Sequence, residues 1–571
     1  MTPRTTELES QKSPPLVVAF VFAQITNLHT SQEIQNFLLK ALDSALKKYN
    51  LCNKANLQGQ FVQNSKSSFQ LEVQGSQKEI LEFSDCLQHY IPLSLQWAFK
   101  ELLILKSFSQ AHCIKPKEDS ISNFLTPLEL QLLGDKESSL FCDLWADWID
   151  FKPTKLTLLN AGQRVEIRDS KALINSLERI ATLLKSGERV FVKTIFGKYE
   201  LLLLDENNPP NQEELANDFY FMPNSLANVK LLFRAENEEL QALATLEKPI
   251  LNLAPKGIFE KFFPNSVQVI LPFEPYLVLL SKFLESNMGL YLLPLSQKRD
   301  DGICEFISQD SQPLTLSVAQ NSLLLPHCFQ TYQPNSVANA FRQTIAEESL
   351  QRVNVCYIGR EQTLFWVYFD GSFKEALDFS FQSNLGAILE TLKTLNQTTQ
   401  SLLKNFSEKH PLLIQSLESL PKDSILSHNL LDLLGMCGVL LGLGEASNLK
   451  KSAIILIECA QKFLGKKGPR IDFRLVRNDE NKIILDTLQT LRSVMSFKLA
   501  EVENELLCFG ILDSLAEFFA NFSRDMEENY QTKGIVICGE LFLNTQFTNQ
   551  FLHYLPKTSE VYPCQTMEFT N

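Results

Sequence analysis

Cysteine and histidine are the side chains most able to do chemistry in this chain, which has twelve Cys and seven His. The closest cysteines, Cys437 and Cys459, stand 22 positions apart, and no C-x-x-C occurs. Zinc ribbons and thioredoxin-type motifs need that short spacing, because both sulfurs must reach one metal or each other from a single turn. His112 and Cys113 adjoin, but two neighbours cannot complete a tetrahedral site. The thiols therefore read as buried free cysteines of a reducing compartment, and no zinc is expected. Acidic residues outnumber basic ones, 66 against 53, for a net charge of −13. A duplex-binding protein needs the opposite surplus to displace counterions, so nucleic acid is not an expected partner.

Elements must position whatever chemistry exists, and their pattern is clear near the start. Leu16–Phe22 is an apolar run that reads as a buried strand. From Ser31 onward Ile34, Phe37, Leu38, Ala41, Leu42 and Ala45 recur at helical spacing. Gln60–Asn64 reads as a short strand. Phe69, Leu71 and Val73 alternate with polar neighbours, the mark of a half-buried strand. Gly75-Ser76 starts a second helix, with Ile80, Phe83 and Leu87 on one face, and Leu95–Phe99 reads as a closing strand. The order β-α-β-β-α-β is the split ferredoxin-like plan.

Residues 101–155 read as a connector. A mixed unit follows, with a helix over Ile174–Lys185 and strands at Val190–Lys193 and Tyr199–Leu204. From Gln351 a hairpin, Val353–Ile358 against Thr363–Phe369, opens a helix-rich unit. Helices are expected over Leu385–Phe406, Leu430–Leu441, Ser452–Phe463, Ile483–Phe497 and Glu501–Glu528, and a last buried strand at Gly534–Cys538. With 571 residues, three or four domains are expected. The longest apolar stretch, Leu430–Leu443, carries Asp432 and falls short of the roughly 20 residues a membrane span needs. A soluble cytoplasmic protein without a membrane partner is expected.

The first unit resembles an acylphosphatase domain. The match runs through Phe61-Val62-Gln63-Asn64, Phe69–Gly75 and His89-Tyr90-Ile91-Pro92. Such a head on a long chain is similar to the carbamoyltransferase HypF family of [NiFe]-hydrogenase maturation, and collinear matches follow. Gly187–Gly197 resembles the G-x-x-V-x-x-K-G-x-G-G of the YrdC-like domain, with Lys193 and Gly197 at its nucleotide-site positions. Lys248–Leu253 and Val269–Tyr276 resemble P-I-V-L-L and V-M-L-P-Y-T-P-L. In the Kae1-like domain, Leu430–Leu443 with Asp432 and Ser452–Glu458 with Glu458 match family helices. Gly534–Asn544 resembles the L-S-G-G-V-F-Q-N nucleotide strand through Gly539 and Asn544.

The resemblance implies an α/β and α+β multidomain chain. Its parts would be a ferredoxin-like acylphosphatase head (1–100), a connector in place of the zinc fingers (101–155), a YrdC-like α/β domain (156–350) and a shortened Kae1-like, actin-like ATPase-fold domain (351–571). Asn64 is implied as a catalytic residue, and Lys193, Gly197, Gly539 and Asn544 as nucleotide ligands. ATP is the implied small-molecule partner, and HypE and HypC the implied protein partners.

Departures cluster in the polar sites. The loop after Phe22 lacks the Arg and Gly that cradle phosphate. The basic R-K-R-x-x-x-K-P stretch has become Phe219–Lys230, with one Lys. The T-S-x-N-x-S stretch has become Leu293–Gln297. Glu540 stands at the second nucleotide-strand glycine, and the H-H-x-A-H and D-G-G metal motifs have no match. Each step of carbamoyl transfer needs a phosphate cradle or a metal. The expectation is therefore a degenerate carbamoyltransferase, with two alternatives: a non-catalytic scaffold or regulator of hydrogenase maturation, and an unrelated soluble multidomain protein.

Overall fold

The computed structural model describes residues 15–26, 28, 32–49, 55–60, 68–108, 156–160, 163–166, 170–194, 196–205, 215, 219–295, 304–306, 313–478 and 480–570. The chain divides into two compact units, Met1–Leu314 and Thr315–Asn571.

The first unit opens with β1 (Leu16–Gln24), a helix over Gln32–Lys48, β2 (Ala55–Gln60), β3 (Ser68–Gly75), a helix over Gln77–Leu87 and β4 (Trp97–Leu105). The sheet order is β2-β3-β1-β4, with every pairing antiparallel. The β-α-β-β-α-β head read from the sequence is therefore present. One sheet face puts Phe20, Phe22, Phe69, Leu71 and Val73 against Leu38, Leu42, Ile80, Phe83 and Leu87 of the two helices. Ser76 and Glu79 form a reciprocal capping box that starts the second helix, with Glu79 N–H donating to Ser76 Oγ and Ser76 N–H to Glu79 Oε2.

Two boundaries differ from the sequence reading. β2 lies at Ala55–Gln60 rather than Gln60–Asn64, and Asn64 is outside the described residues. β4 runs on to Leu105, past the expected end at Phe99 and past a domain boundary at 100, because it pairs with β1 along the whole of Val17–Gln24. A bulge at Val21/Phe22 keeps the two strands in contact. Residues 109–155, most of the expected connector, lie outside the described residues.

The rest of this unit holds β5 (Leu156–Asn160), β6 (Gln163–Glu166), β7 (Val190–Thr194), β8 (Gly197–Leu203), β9 (Tyr220–Pro223), β10 (Ile250–Leu253), β11 (Val267–Val269), β12 (Gly289–Pro294) and β13 (Cys304–Phe306). They join in the order β10-β11-β9-β12-β8-β7-β13-β5-β6. Helices Ser170–Lys185 and Pro275–Phe283 cover one face through Leu177, Ile180, Leu184, Tyr276, Leu277 and Leu280. The head is tied to this sheet. Leu246 N–H donates to Leu93 O at 2.8 Å, and the buried Glu247 carboxylate accepts from Leu95 N–H at 3.0 Å and Ser94 Oγ at 2.5 Å.

The second unit begins with β14 (Thr315–Ala319), β15 (Leu323–Pro326), β16 (Phe329–Thr331) and a helix over Ser336–Glu347. Val337, Phe341 and Ile345 of that helix enter the second unit's core, so the division by compactness falls at Leu314/Thr315 rather than at residue 350. The central sheet holds β17 (Val353–Ile358), β18 (Thr363–Phe369) and β19 (Ser372–Leu377). Short pairs follow: β20 (Phe381–Gln382) with β21 (Leu426–Ser427), and β22 (Leu475–Arg477) with β23 (Ile483–Leu485). The chain closes with β24 (Ile535–Cys538), β25 (Val561–Pro563) and β26 (Glu568–Thr570). The order is β19-β18-β17-β24-β25, antiparallel on one side of β17 and parallel on the other.

Helix Asn504–Tyr530 crosses this core. It has 27 residues, and its most apolar window has a mean hydropathy of 1.4, enough by composition to cross a membrane. However, 83% of that window is buried inside the protein, as a core helix would be. Two expected helices are recast by caps. Leu385–Phe406 splits into Leu385–Thr394 and Gln397–Lys409, where Asn396 Oδ1 accepts from Thr399 N–H and restarts the helix. Ile483 belongs to a strand, and Asp486 caps the helix over Thr487–Leu499.

Candidate functional site

In open sheets, ligands lie beyond the carboxyl ends of parallel strands, where the loops separate. In the second unit those ends belong to β17 and β24, with Tyr357 in register with Cys538. β17 leads into the Gly359–Gln362 turn, and β24 leads into Gly539-Glu540. This is where the family resemblance puts nucleotide.

The chain itself fills this crevice. Gly539 has φ +109, and a Cβ there would press into the Ile358 carbonyl. Its glycine is thus demanded by the neighbouring strand. Glu540 Oε2 accepts from Arg360 N–H at 3.1 Å, and Oε1 stands 3.9 Å from Arg360 Nε. The Glu540 side chain is only 14% exposed, and Oε1 has no hydrogen-bond partner among the described residues. The Tyr357 ring is fully buried against Gly359, and its hydroxyl also lacks a partner among the described residues. Burial, with the Glu540 charge next, holds that phenol far above its ordinary range.

The segment around β26 closes the top. Phe569 meets Tyr357 edge-on at 5.7 Å, Gly539 N–H donates to Met567 O at 2.9 Å, and β26 pairs in parallel with β16. Glu568 adds a second carboxyl, raised by burial. A triphosphate needs free backbone N–H groups and cations. Here one such N–H is taken, two carboxyls occupy the space, and the residues do not fit ATP.

The other matched residues have structural duties. Asn544 Oδ1 accepts from Phe547 N–H at 2.9 Å and caps the helix over Thr545–Tyr554. Asp432 Oδ2 accepts from Ser427 Oγ at 2.6 Å in the first turn of helix Leu430–Leu440, which Asn429 caps. Glu458 is exposed on helix Leu449–Gln461.

In the first unit Lys193 and Gly197 belong to one hairpin, with Lys193 in register with Lys198. Gly197 turns it with φ +134, while Thr194 Oγ1 donates to Gly197 O and accepts from Phe196 N–H. The surroundings are aromatic. Tyr199 meets Tyr220 at 5.8 Å, and Phe196 meets Phe273 at 4.7 Å. Glu274 is fully buried, and burial followed by the Tyr220 and Glu274 charges pushes the Tyr199 phenol well up. The lysine and the glycine share this hairpin, with Lys198 across from Lys193 and aromatic side chains around the turn.

Sequence reading passed over a second adjacent pair, His327-Cys328. Ser317 Oγ donates to Leu543 O at 2.7 Å, so it accepts from His327 Nε2 at 2.8 Å. Burial lowers His327 to about 4, which keeps the ring neutral. With its proton committed to a carbonyl, Ser317 is not an activated nucleophile.

The closed crevice has a pH signature. Burial, opposed in part by Arg360, pushes the Glu540 carboxyl up to about 7 from a usual 4.5. An acid raised in this way holds its proton more tightly when folded. Its stabilising contribution is complete below the unfolded value and is lost as pH rises to 7. Glu540→Gln keeps a neutral acceptor for Arg360 N–H and removes that loss. Between pH 5 and pH 8 the variant should gain about 1–3 kcal/mol relative to the parent. Urea unfolding at the two pH values measures it, and parallel pH slopes would refute the assignment.

Protein HydE of Wolinella succinogenes is 30% identical over 516 residues, spanning 87% of this chain and 92% of that protein. The chain belongs to the HydE family. No family model matches the chain. Among solved structures, the HydE-family fold is shared with HypF. Full-length HypF in a phosphate- and nucleotide-bound form superposes with a TM-score of 0.58 at 14% identity, covering 97% of this chain and 96% of that one. HypF of T. kodakarensis gives 0.62 at 12% identity, again over 97% and 96%. At such identities the likeness concerns the fold alone.

Proposed function

We propose that this HydE-family protein serves hydrogenase maturation in the cytoplasm as a non-catalytic scaffold or regulator, keeping the carbamoyltransferase frame without its phosphate chemistry. HypE and HypC are the partners it would hold, through surfaces common to the HypF-like frame. One observation carries the reading. The strand-end crevice of the second unit holds Glu540, Tyr357 and Phe569, which supports the loss of a nucleotide there. Removing a single transition-state donor typically costs about 10²–10³ in rate, and here the acceptor site itself is filled. A fold without its site does not carry the reaction.

The partner half of the proposal is tested by capture. The intact protein, tagged in its own cell, should retain HypE or HypC through washing at moderate salt. Recovery of neither, with the bait folded and abundant, would remove hydrogenase maturation from the proposal.

A further inference from the structure

A cavity of about 760 Å³ opens in the head between the sheet and its two helices. It arises where β1, β3 and β4 meet the end of helix Gln77–Leu87. Phe22 is in register with both Phe69 and Phe99, which brings three rings to one spot. Phe22 stacks on Phe69 at 4.9 Å and meets Phe99 edge-on at 5.9 Å, and Phe69 meets Trp97 at 5.1 Å. Leu42 and Leu87 complete the apolar wall. The described lining holds no charged side chain. Its polar groups are Ser84, Gln88 and Ser94, and the Ser94 hydroxyl is committed to Glu247. Phe99 is 54% exposed, so the cavity communicates with solvent.

Phe99 and Leu93 form the open apolar mouth of the cavity, while Phe22, Phe69, Leu42 and Leu87 make a buried floor. Its volume and apolar character match a small-molecule site, with few polar groups to orient the guest. We propose that the head binds a small uncharged molecule, flat or aliphatic, with one polar end directed to Ser84 in helix Gln77–Leu87 and to Gln88 at its C-cap. The absence of a cation among the described lining sets this ligand apart from any acyl phosphate. The inference is independent of the maturation partners proposed above.

The intact protein is titrated with the uncharged fluorophore 1-aminoanthracene. Saturable, blue-shifted binding in the micromolar range is expected, displaced by 1-octanol and unaffected by inorganic phosphate. Ser84→Phe, which fills the cavity from its rim, should weaken binding at least tenfold. Gln88→Trp does the same from an exposed position that leaves the core intact, and unchanged unfolding curves confirm both folds. Absence of saturable binding to the parent, or equal binding by both filled variants, overturns the proposal, as does displacement by phosphate.

Discussion

Gly539→Ala is expected to destabilise the second unit by about 3–5 kcal/mol, combining a left-handed backbone with a steric clash. The residue sits at φ +109, outside the range an L side chain adopts with ease. A methyl group would also run into the Ile358 carbonyl of the adjacent parallel strand, which is backbone and cannot swing aside. Thermal unfolding should show the second unit melting at least several degrees earlier. The comparison that matters is Asn544→Ala, which removes one helix cap and should cost only about 1 kcal/mol. If Gly539→Ala proves as mild as the cap variant, the glycine is not required by strand packing, and a vanished phosphate contact regains interest.

Asn354→Leu is expected to cost about 2–4 kcal/mol despite keeping the same branched heavy-atom skeleton, since it strands two or more buried polar groups. Asn354 is fully buried in β17. Its Nδ2 donates to Ser523 O and Ser523 Oγ, each at 3.0 Å, and its Oδ1 accepts from Thr532 Oγ1 at 3.1 Å. This one amide ties the central strand to the long helix Asn504–Tyr530 and to the turn that launches β24. The urea midpoint should fall accordingly. The double variant with Ser523→Ala should cost less than the sum of the single changes, because both remove the same bond. Additive losses would show that the network is not coupled.

Local signals carried much of this architecture. The alternation of Phe69, Leu71 and Val73 and the helical stripe of Ile80, Phe83 and Leu87 are visible without coordinates, and Ser76 with Glu79 marks the helix start. Caps inside a long polar-apolar pattern were harder to see. Asn396 and Asp486 each restart a helix, yet the periodicity around them continues across the break. The unit boundary at Leu314 depends on where Phe341 packs, which no local pattern records.

The site divides in the same way. Gly539 and the odd Glu540 stand out in the sequence, but the reason for the glycine is Ile358, some 180 positions earlier. The cover that Phe569 and Met567 place over Tyr357 is a long-range contact with no local trace. The cavity of the head likewise comes from three strands meeting, and Phe22, Phe69 and Phe99 look like ordinary core residues when read one at a time. The adjacent His327-Cys328 was legible but carries a buried, neutral imidazole.

The most direct test of the central claim is carbamoyl-phosphate-dependent exchange between ATP and pyrophosphate, measured on the intact, folded protein with magnesium. A chain that has lost the basic stretch of its YrdC-like part and fills its own strand-end crevice should show no stimulation above background at any carbamoyl phosphate concentration. Stimulated, saturable exchange would contradict the account, because it would mean that the chain still accepts nucleotide and activates carbamate.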